Sequence, residues 1–237
     1  MSGPPSVGAP VPGWAPRPLP PATPMEGRHC RLEPLDAARH AEALHAAFAE
    51  DAGGCLWAYM AYGPFARAED YATWAESVAD APDQHPYAIC DGQGRPAGVA
   101  AYLRAAPAHG SIEIGHIVLA PRLQRSTAAT EALVLMLAQV LDTLGYRRCE
   151  WKCDALNAAS RRAALRLGFA FEGIFRQHMV VKGRNRDTAW YAMTDDDWRR
   201  LAPGHAAWLA ETGAGAQRRP LAQALAEARA RAAAGRR

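Results

Sequence analysis

The run Arg122-Leu123-Gln124-Arg125-Ser126-Thr127-Ala128-Ala129-Thr130 is the stretch best equipped for chemistry. It joins an alternating apolar segment to a helical one. A turn that feeds a helix N-terminus presents unpaired backbone N–H groups and the positive end of the helix dipole, which suits a phosphate. On spacing alone, an ordinary strand-to-helix connection is the competing reading. His116 and His178 are ionisable candidates near this region and further along. A histidine titrates near neutrality and can take up a proton, although a lone strand histidine also serves packing or hydrogen bonding.

The flanking elements must hold that turn. Ile112, Ile114, His116 and Val118 alternate with Glu113, Gly115 and Ile117, the period of a strand, and Pro121 ends it. Leu133, Leu137, Leu141 and Leu144 recur at helical spacing, with Gly145 just beyond. Upstream, Arg28 to Leu35 reads as a strand and Asp36 as the N-cap of a helix through Phe48. An aromatic loop with Trp57, Tyr59, Tyr62 and Phe65 follows, then a helix from Glu69 to Val78. These rings read as a satellite core or as the wall of a substrate cleft. The second role is assigned to Trp57 and Tyr59, which precede the Gly63-Pro64 break.

Tyr87 to Asp91 and Ala97 to Arg104 predict a hairpin around Gly92-Gln93-Gly94. Arg147 to Asp154 is a further strand, Asn157 to Leu167 a helix stopped by Gly168, and Phe171 to Lys182 with Asp187 to Thr194 a last hairpin. The order β-α-α-β-β-β-α-β-α-β-β predicts an α/β (α+β) fold, with a mixed, mostly antiparallel central sheet and helices on both faces.

With 237 residues, the chain is read as one domain with tails. Residues 1–24 are proline-dense and expected to be extended and mobile, 25–200 form the domain, and 201–237 are rich in alanine and arginine, partly helical and solvated. Much of the net charge of +3 sits in that last part, so nucleic acid is not an expected partner of the core. The five cysteines are odd in number and lack CxxC pairs, so no metal site is expected; Cys149 and Cys153, on one strand face, read as reduced packing residues. No apolar run approaches a membrane span and no signal pattern opens the chain, so the expectation is a cytoplasmic protein without membrane contact.

Several stretches together, WAYMAYGPF, IEIGHIVLAP, QRSTAATEA, DALNAASRRAALRLGFAFEG and FRQHMVVKGRNRDTAWYAM, resemble the GNAT N-acetyltransferase superfamily. The likeness runs from about Gly27 to Trp198 and is strongest to the RimJ/RimL-like ribosomal-protein N-terminal acetyltransferases. It implies a GNAT-like acyl-CoA N-acyltransferase fold, acetyl-CoA as cofactor and direct acetyl transfer to an amine. The family's phosphate loop, Arg/Gln-x-x-Gly-x-Gly/Ala, maps onto Gln124 to Ala129, with Thr127 in place of the usual glycine. The amides still face the pyrophosphate if Thr127 is already helical. By this resemblance Arg122, Gln124, Arg125, Ser126, Thr127, Ala128, Ala129 and Thr130 bind the phosphates. Ile117, Val118 and Leu119 meet pantetheine where the sheet splays, and Asn157 holds the pantetheine arm.

The resemblance also nominates Glu113 as the base, directly or through a water, against the reading of an exposed strand carboxylate. Ala163, Ala164 and Leu165 stand where many relatives carry an acid tyrosine, leaving Ser160 as the alternative hydroxyl. His178 and Asp187 border the acceptor side; Asp187 either holds the substrate ammonium or closes the hairpin with Arg184 or Arg186. The acceptor is a protein N-terminus or a small amine such as an aminoacyl-nucleotide, and the protein is expected as a monomer or homodimer. Competing readings are an inactive GNAT-fold binding module and an RNA- or ribosome-associated factor acting through the basic tail.

Overall fold

Side-chain caps set where the helices begin. Asp36 accepts from the Arg39 N–H at the start of α1 (Ala37–Phe48), and Asn157 accepts from Ser160 at the start of α4 (Ala158–Leu167). Gly168 then ends α4 in the left-handed conformation that its missing Cβ permits. Thr194 and Asp197 exchange bonds in a capping box at the start of α5 (Asp195–Ala210). The computed structural model describes residues 6–211 and 219–235. Its other helices are α2 (Ala68–Ala79), α3 (Thr127–Ala138) and α6 (Leu221–Ala234).

The strands β1 (Met25–Glu26), β2 (Arg31–Pro34), β3 (Gln84–Cys90), β4 (Pro96–Ala106), β5 (Ser111–Leu119), β6 (Arg148–Asp154), β7 (Ala170–Val181) and β8 (Arg184–Thr194) form one sheet in the order β1-β2-β3-β4-β5-β6-β8-β7. Every neighbouring pair is antiparallel except β5 and β6. In β4 every residue from Ala97 to Leu103 is buried, so both faces of the sheet are covered there. The expected mixed, mostly antiparallel α/β architecture is what the chain adopts. Several boundaries differ from the sequence reading, among them β3, which starts at Gln84 rather than Tyr87. The first strand is shorter and pairs with the extra β1, and β8 starts at Arg184 because the hairpin turn is only Lys182-Gly183. Both turn residues have positive φ, 49° and 73°, as a tight hairpin turn requires.

α3 is held in place by its own buried acid. The Glu131 carboxylate accepts the backbone N–H groups of Arg28, His29 and Cys30 at 2.9, 2.5 and 3.0 Å. Tyr102 of β4 donates its hydroxyl proton to the Met136 carbonyl at 2.8 Å, fixing the other end of the helix on the sheet.

Both tails depart from the expectation of solvated chain. The N-terminal segment is extended but docked. The Trp14 indole N–H donates to the Ala108 carbonyl at 2.9 Å, under the Arg17 guanidinium 4.5 Å from its ring. Tyr146 and Tyr87 donate hydroxyl protons to the carbonyls of Pro18 and Pro21 at 3.1 and 2.7 Å. Gly110 lies against the Trp14 ring, where a Cβ would collide. Composition hides this because prolines, unable to donate, still offer carbonyls to acceptor-seeking tyrosines. Residues 1–5, the start of that predicted tail, lie outside the described residues.

At the other end, α6 buries Leu221, Ala224, Leu225 and Ala228. Its alanine face packs because Gly204 of α5 lets the helices approach: a Cβ there would meet the Ala224 carbonyl oxygen at 2.8 Å and the Ala228 Cβ at 3.0 Å. Residues 212–218 and 236–237 of the predicted tail lie outside the described residues.

Two measurements check this docking. Trp14→Ala should lower the stability by about 1–2 kcal/mol in chemical denaturation, a typical loss for a half-buried packing residue; no change would mean the segment is not held. Gly204→Ala should also destabilise, because overpacking by about 1–3 kcal/mol outweighs the roughly 1 kcal/mol that alanine adds to helix propensity. A raised melting temperature would show that α6 does not lie against α5.

Candidate active site

The parallel contact between β5 and β6 is short. Ser111 pairs with Arg148, Ile112 with Cys149 and Glu113 with Glu150, and no ladder continues beyond. Yet β5 runs on to Leu119 and β6 to Asp154, so the strands part and open a gap in the middle of the sheet. A bulge contributes to the parting. Between the Ala101–Gly115 and Val99–Val118 pairs, β5 carries one residue more than β4, and His116 there has φ 50°. A second bulge, in β4, places Arg104 at φ 50°. Positive φ at non-glycine residues costs energy and clusters at functional sites.

α3 begins beside the end of β5. Ser126 is its N-cap, accepting from the Ala129 N–H at 3.0 Å and donating its hydroxyl proton to the Leu123 carbonyl at 2.6 Å. Thr127 is the first residue of the helix, and the left-handed conformation falls on Arg125, φ 58°. The threonine at the usual glycine position therefore meets no backbone strain. The amides of Thr127 and Ala128 make no hydrogen bond among the described residues and are open to an anion.

The loop residues divide by what else they bind. Gln124 turns back and donates to the Leu119 carbonyl at 3.0 Å, holding the strand end. Thr130 is buried, donates to the Ser126 carbonyl at 3.1 Å, and accepts from Arg166 at 3.0 Å. Arg122 differs from the expectation of a phosphate ligand: its guanidinium pairs with Glu50 and donates to the Pro96 carbonyl. The Arg125 side chain is exposed and has no ion pair among the described residues.

Glu113 is not the free base the resemblance suggested. It is 2 % exposed, receives both arms of Arg104 at 2.8 and 2.9 Å, and meets Lys152 at 2.9 Å. Both of its oxygens are thus occupied by cationic donors, and neither faces an open acceptor position. The series continues sideways: Lys152 to Glu150 at 2.8 Å, Glu150 to Arg148 at 2.8 Å, and Arg148 to Glu172 with two bonds. Paired arginine and lysine hold the Glu150 carboxyl below the usual carboxylate range against the opposing effect of burial. Lys152 also lies 3.9 Å from the Trp190 ring centroid.

His116 takes a different place. Its Nε2–H donates to the Gln84 side-chain oxygen at 3.0 Å, which leaves Nδ1 to accept the Tyr62 hydroxyl proton at 2.8 Å. Burial, helped by the Arg104 charge, pushes the imidazole pKa below the usual histidine range. Burial also keeps the Tyr62 phenol protonated. Tyr62 stacks on Trp74 with ring centroids 4.3 Å apart.

Trp57 proves to be core. It is 6 % exposed, with its ring edge-on to Phe48 and Phe65 and closely covered by Gly63, so it is no wall of a cleft. Its backbone does reach the last hairpin, because Lys182 in the β7–β8 turn donates to the Trp57 carbonyl at 2.9 Å. Tyr59 is partly exposed and bonds the Leu156 carbonyl before α4 at 3.2 Å. The aromatic loop thus ties to β5, to the β6–α4 turn and to the β7–β8 turn.

The remaining candidates are committed to local structure. Asn157 spends its oxygen on the α4 cap, at 3.0 Å from the Ser160 N–H. The Ser160 hydroxyl oxygen accepts from the Trp151 indole at 2.9 Å, and the hydroxyl also lies within hydrogen-bond reach of the Cys153 sulfur. Asp187 accepts from the Gln177 N–H at 2.7 Å and from Asn185 at 2.9 Å, which lowers its pKa. It therefore stabilises the bulge in β7, where Gln177 has φ 51°, rather than pairing with Arg184 or Arg186. His178 shares a hydrogen bond of 2.9 Å with Thr188 and lies against Phe175 and Trp190.

Sequence reasoning did not anticipate Arg104, Lys152 and Arg166. The polar alternation Arg148, Glu150, Lys152 was a legible signal for one charged strand face. Among the described residues no cluster of three metal-ligating side chains occurs, and no helix is long and apolar enough to cross a membrane. Four cysteines, Cys149 and Cys153 among them, are free and buried, and Cys55 is free and exposed.

The family described as "Acetyltransferase (GNAT) domain" matches residues 29–170. A GCN5-related N-acetyltransferase from Brucella melitensis is 42% identical, with 91% of this chain and 100% of that one covered at a TM-score of 0.88. A GNAT-family acetyltransferase from Chromobacterium violaceum is also 42% identical, covering 84% of this chain and 100% of that one, with a TM-score of 0.77. An acetyltransferase from Salmonella typhimurium, described as modifying the N-terminal serine of ribosomal protein L7/L12, shares the fold at 21% identity and TM-score 0.62, over 71% of this chain and 96% of that one. No curated protein matches. With a family match over more than half its length and a parted sheet beside an open helix end, the chain belongs to the GNAT acetyltransferase family.

Proposed function

We propose that the protein transfers an acetyl group from acetyl-CoA to a primary amine, either a peptide N-terminus or a small amine, as a RimJ/RimL-like enzyme of the cytoplasm. The observation that carries this reading is the gap between β5 and β6 lying next to the uncommitted amides of Thr127 and Ala128. A pantetheine arm is a chain of amides that pairs with a free strand edge, and a pyrophosphate is what an open helix N-terminus accepts. Arg125 adds charge there, and Ile117 to Leu119 supply the strand edge. Acetyl-CoA, when bound, supplies an activated acetyl group.

The chain's own residues then serve proton movement and placement. Attack by the amine forms a C–N bond, breaks the C–S bond, and requires one proton to leave nitrogen and one to reach sulfur. The Tyr62–His116 pair suits the first: Tyr62 receives the proton from the amine and passes its own to His116 Nδ1. Gln84 keeps the imidazole in the tautomer whose Nδ1 is free to accept. Ser160 offers its hydroxyl proton to the leaving sulfur, with the Trp151 indole supporting its oxygen. Glu113 orients Arg104 and Lys152 at the point where the strands divide.

The two rival readings lose their footing. Support for an inactive module rested on Thr127 and on the missing acid tyrosine; Thr127 is helical and unstrained, and Ser160 is the hydroxyl assigned in place of the tyrosine. The basic tail is not a free arm in its described part: α6 is packed, and Arg219 pairs with Glu211 and Glu227.

Calorimetric titration of the full chain with acetyl-CoA should give one micromolar-range site per chain, and absence of heat at hundreds of micromolar would refute the donor assignment. His116→Gln should lower kcat by about a hundredfold or more while leaving acetyl-CoA affinity unchanged. Because the imidazole pKa is depressed, the working neutral form is present at and above neutrality. The wild-type kcat should fall only as the pH drops below about 6.5. An unaltered kcat in the variant would remove His116 from the reaction.

A further inference from the structure

A second cavity adjoins the α3 N-terminus. Arg125, Thr127, Arg166, Trp208, Arg219 and Leu221 are among the residues lining a cavity of about 280 Å³. Four parts of the chain meet there: the turn before α3, the last turn of α4, the end of α5 and the segment entering α6. The last two lie beyond residues 29–170, the span the family shares.

The three arginines are not equivalent. Arg219 is neutralised by Glu211 and Glu227, each at 2.7 Å, so it closes the wall without surplus charge. Arg166 is exposed and has no acidic partner among the described residues. Among the described residues its hydrogen bond goes to the neutral Thr130 hydroxyl, and its guanidinium lies 5.4 Å from the Trp208 ring centroid. Desolvation without a counter-charge pulls its pKa down. Arg125 is exposed and unpaired, on a backbone held at φ 58°. Two uncompensated guanidiniums in a concave site beside open amides lack an anion, and arginine's planar fork is shaped for phosphate oxygens. Trp208 is 3 % exposed, so it backs the Arg166 guanidinium rather than stacking on a base.

We propose that this pocket binds the phosphomonoester on the ribose of the coenzyme, with Arg166 as its principal ligand and Arg125 as the second. The inference rests on the acetyl-CoA reading above. It assigns the C-terminal helices a role in donor recognition, beside the pyrophosphate at the α3 amides.

The test is calorimetric titration of the full chain with acetyl-CoA and with acetyl-dephospho-CoA, which lacks only that phosphate. Wild type should bind acetyl-CoA at least tenfold more tightly, as expected for charge-assisted hydrogen bonds. Arg166→Gln should reduce that preference to within about twofold by weakening acetyl-CoA alone, with the binding of the dephospho form unchanged. A thermal melt of the unliganded variant reports whether it folds. Arg125→Gln, on an exposed side chain that also adds charge toward the pyrophosphate, should weaken both ligands but acetyl-CoA more, and that narrowed preference carries the test if Arg166→Gln does not fold. Equal wild-type affinities for the two ligands, or equal weakening of both in the variants, would overturn the pocket assignment while leaving the donor assignment intact. Binding of neither ligand would overturn both.

Discussion

Everything in this site depends on two carboxylates placed side by side. Glu113 and Glu150 are direct neighbours where β5 and β6 meet in parallel, and like charges in that position repel. Lys152 reaches both, while Arg104 and Arg148 take the outer sides. Charges therefore alternate across four strands from Arg104 to Glu172. Buried ion pairs add little net stability against an apolar alternative, but loss of one partner costs about 3–5 kcal/mol because a buried charge is stranded. The clamp thus acts less as a source of stability than as a fixed geometry. It joins the two strands at one end, and their departure at the other end is what makes a site.

Strain is concentrated around the same point. Arg104, His116 and Gln177 all adopt positive φ at bulges in β4, β5 and β7. Each is held by partners that need it there: Arg104 by Glu113, His116 by Tyr62 and Gln84, and Gln177 by Asp187. The aromatic cluster beneath Tyr62, with Trp57, Phe65 and Trp74 in contact, gives the His116 partner a rigid base. Aromatic packing and backbone strain thus act on one pair of side chains.

The two ends of the chain complete the domain rather than trail from it. The N-terminal segment lies along the turn between β4 and β5, with Trp14 against Gly110. The C-terminal helices cover α4, where Gly168 meets Leu201 and Leu225. That packing brings Trp208 and Arg219 to the first turn of α3, and so links the tail to the helix end that faces the site.

Much was legible in the amino-acid order. The cap Asp36, the stop at Gly168 and the position of β5 are local signals, set by hydrogen bonds and periodicities spanning a few residues, and each is where the sequence placed it, although the bulge at His116 breaks the alternation expected along β5. The strand-to-helix turn before α3 was legible for the same reason, including the helical start at Thr127. What the sequence could not express was which distant groups would meet. Glu113 reads as a strand carboxylate until Arg104 and Lys152 converge on it, and Trp57 reads as a cleft wall until Phe48 and Phe65 enclose it. The alanine-rich end reads as solvated until Gly204 lets it approach α5. Burial and ion pairing depend on contacts between residues far apart in the chain, and only the tertiary structure decides those.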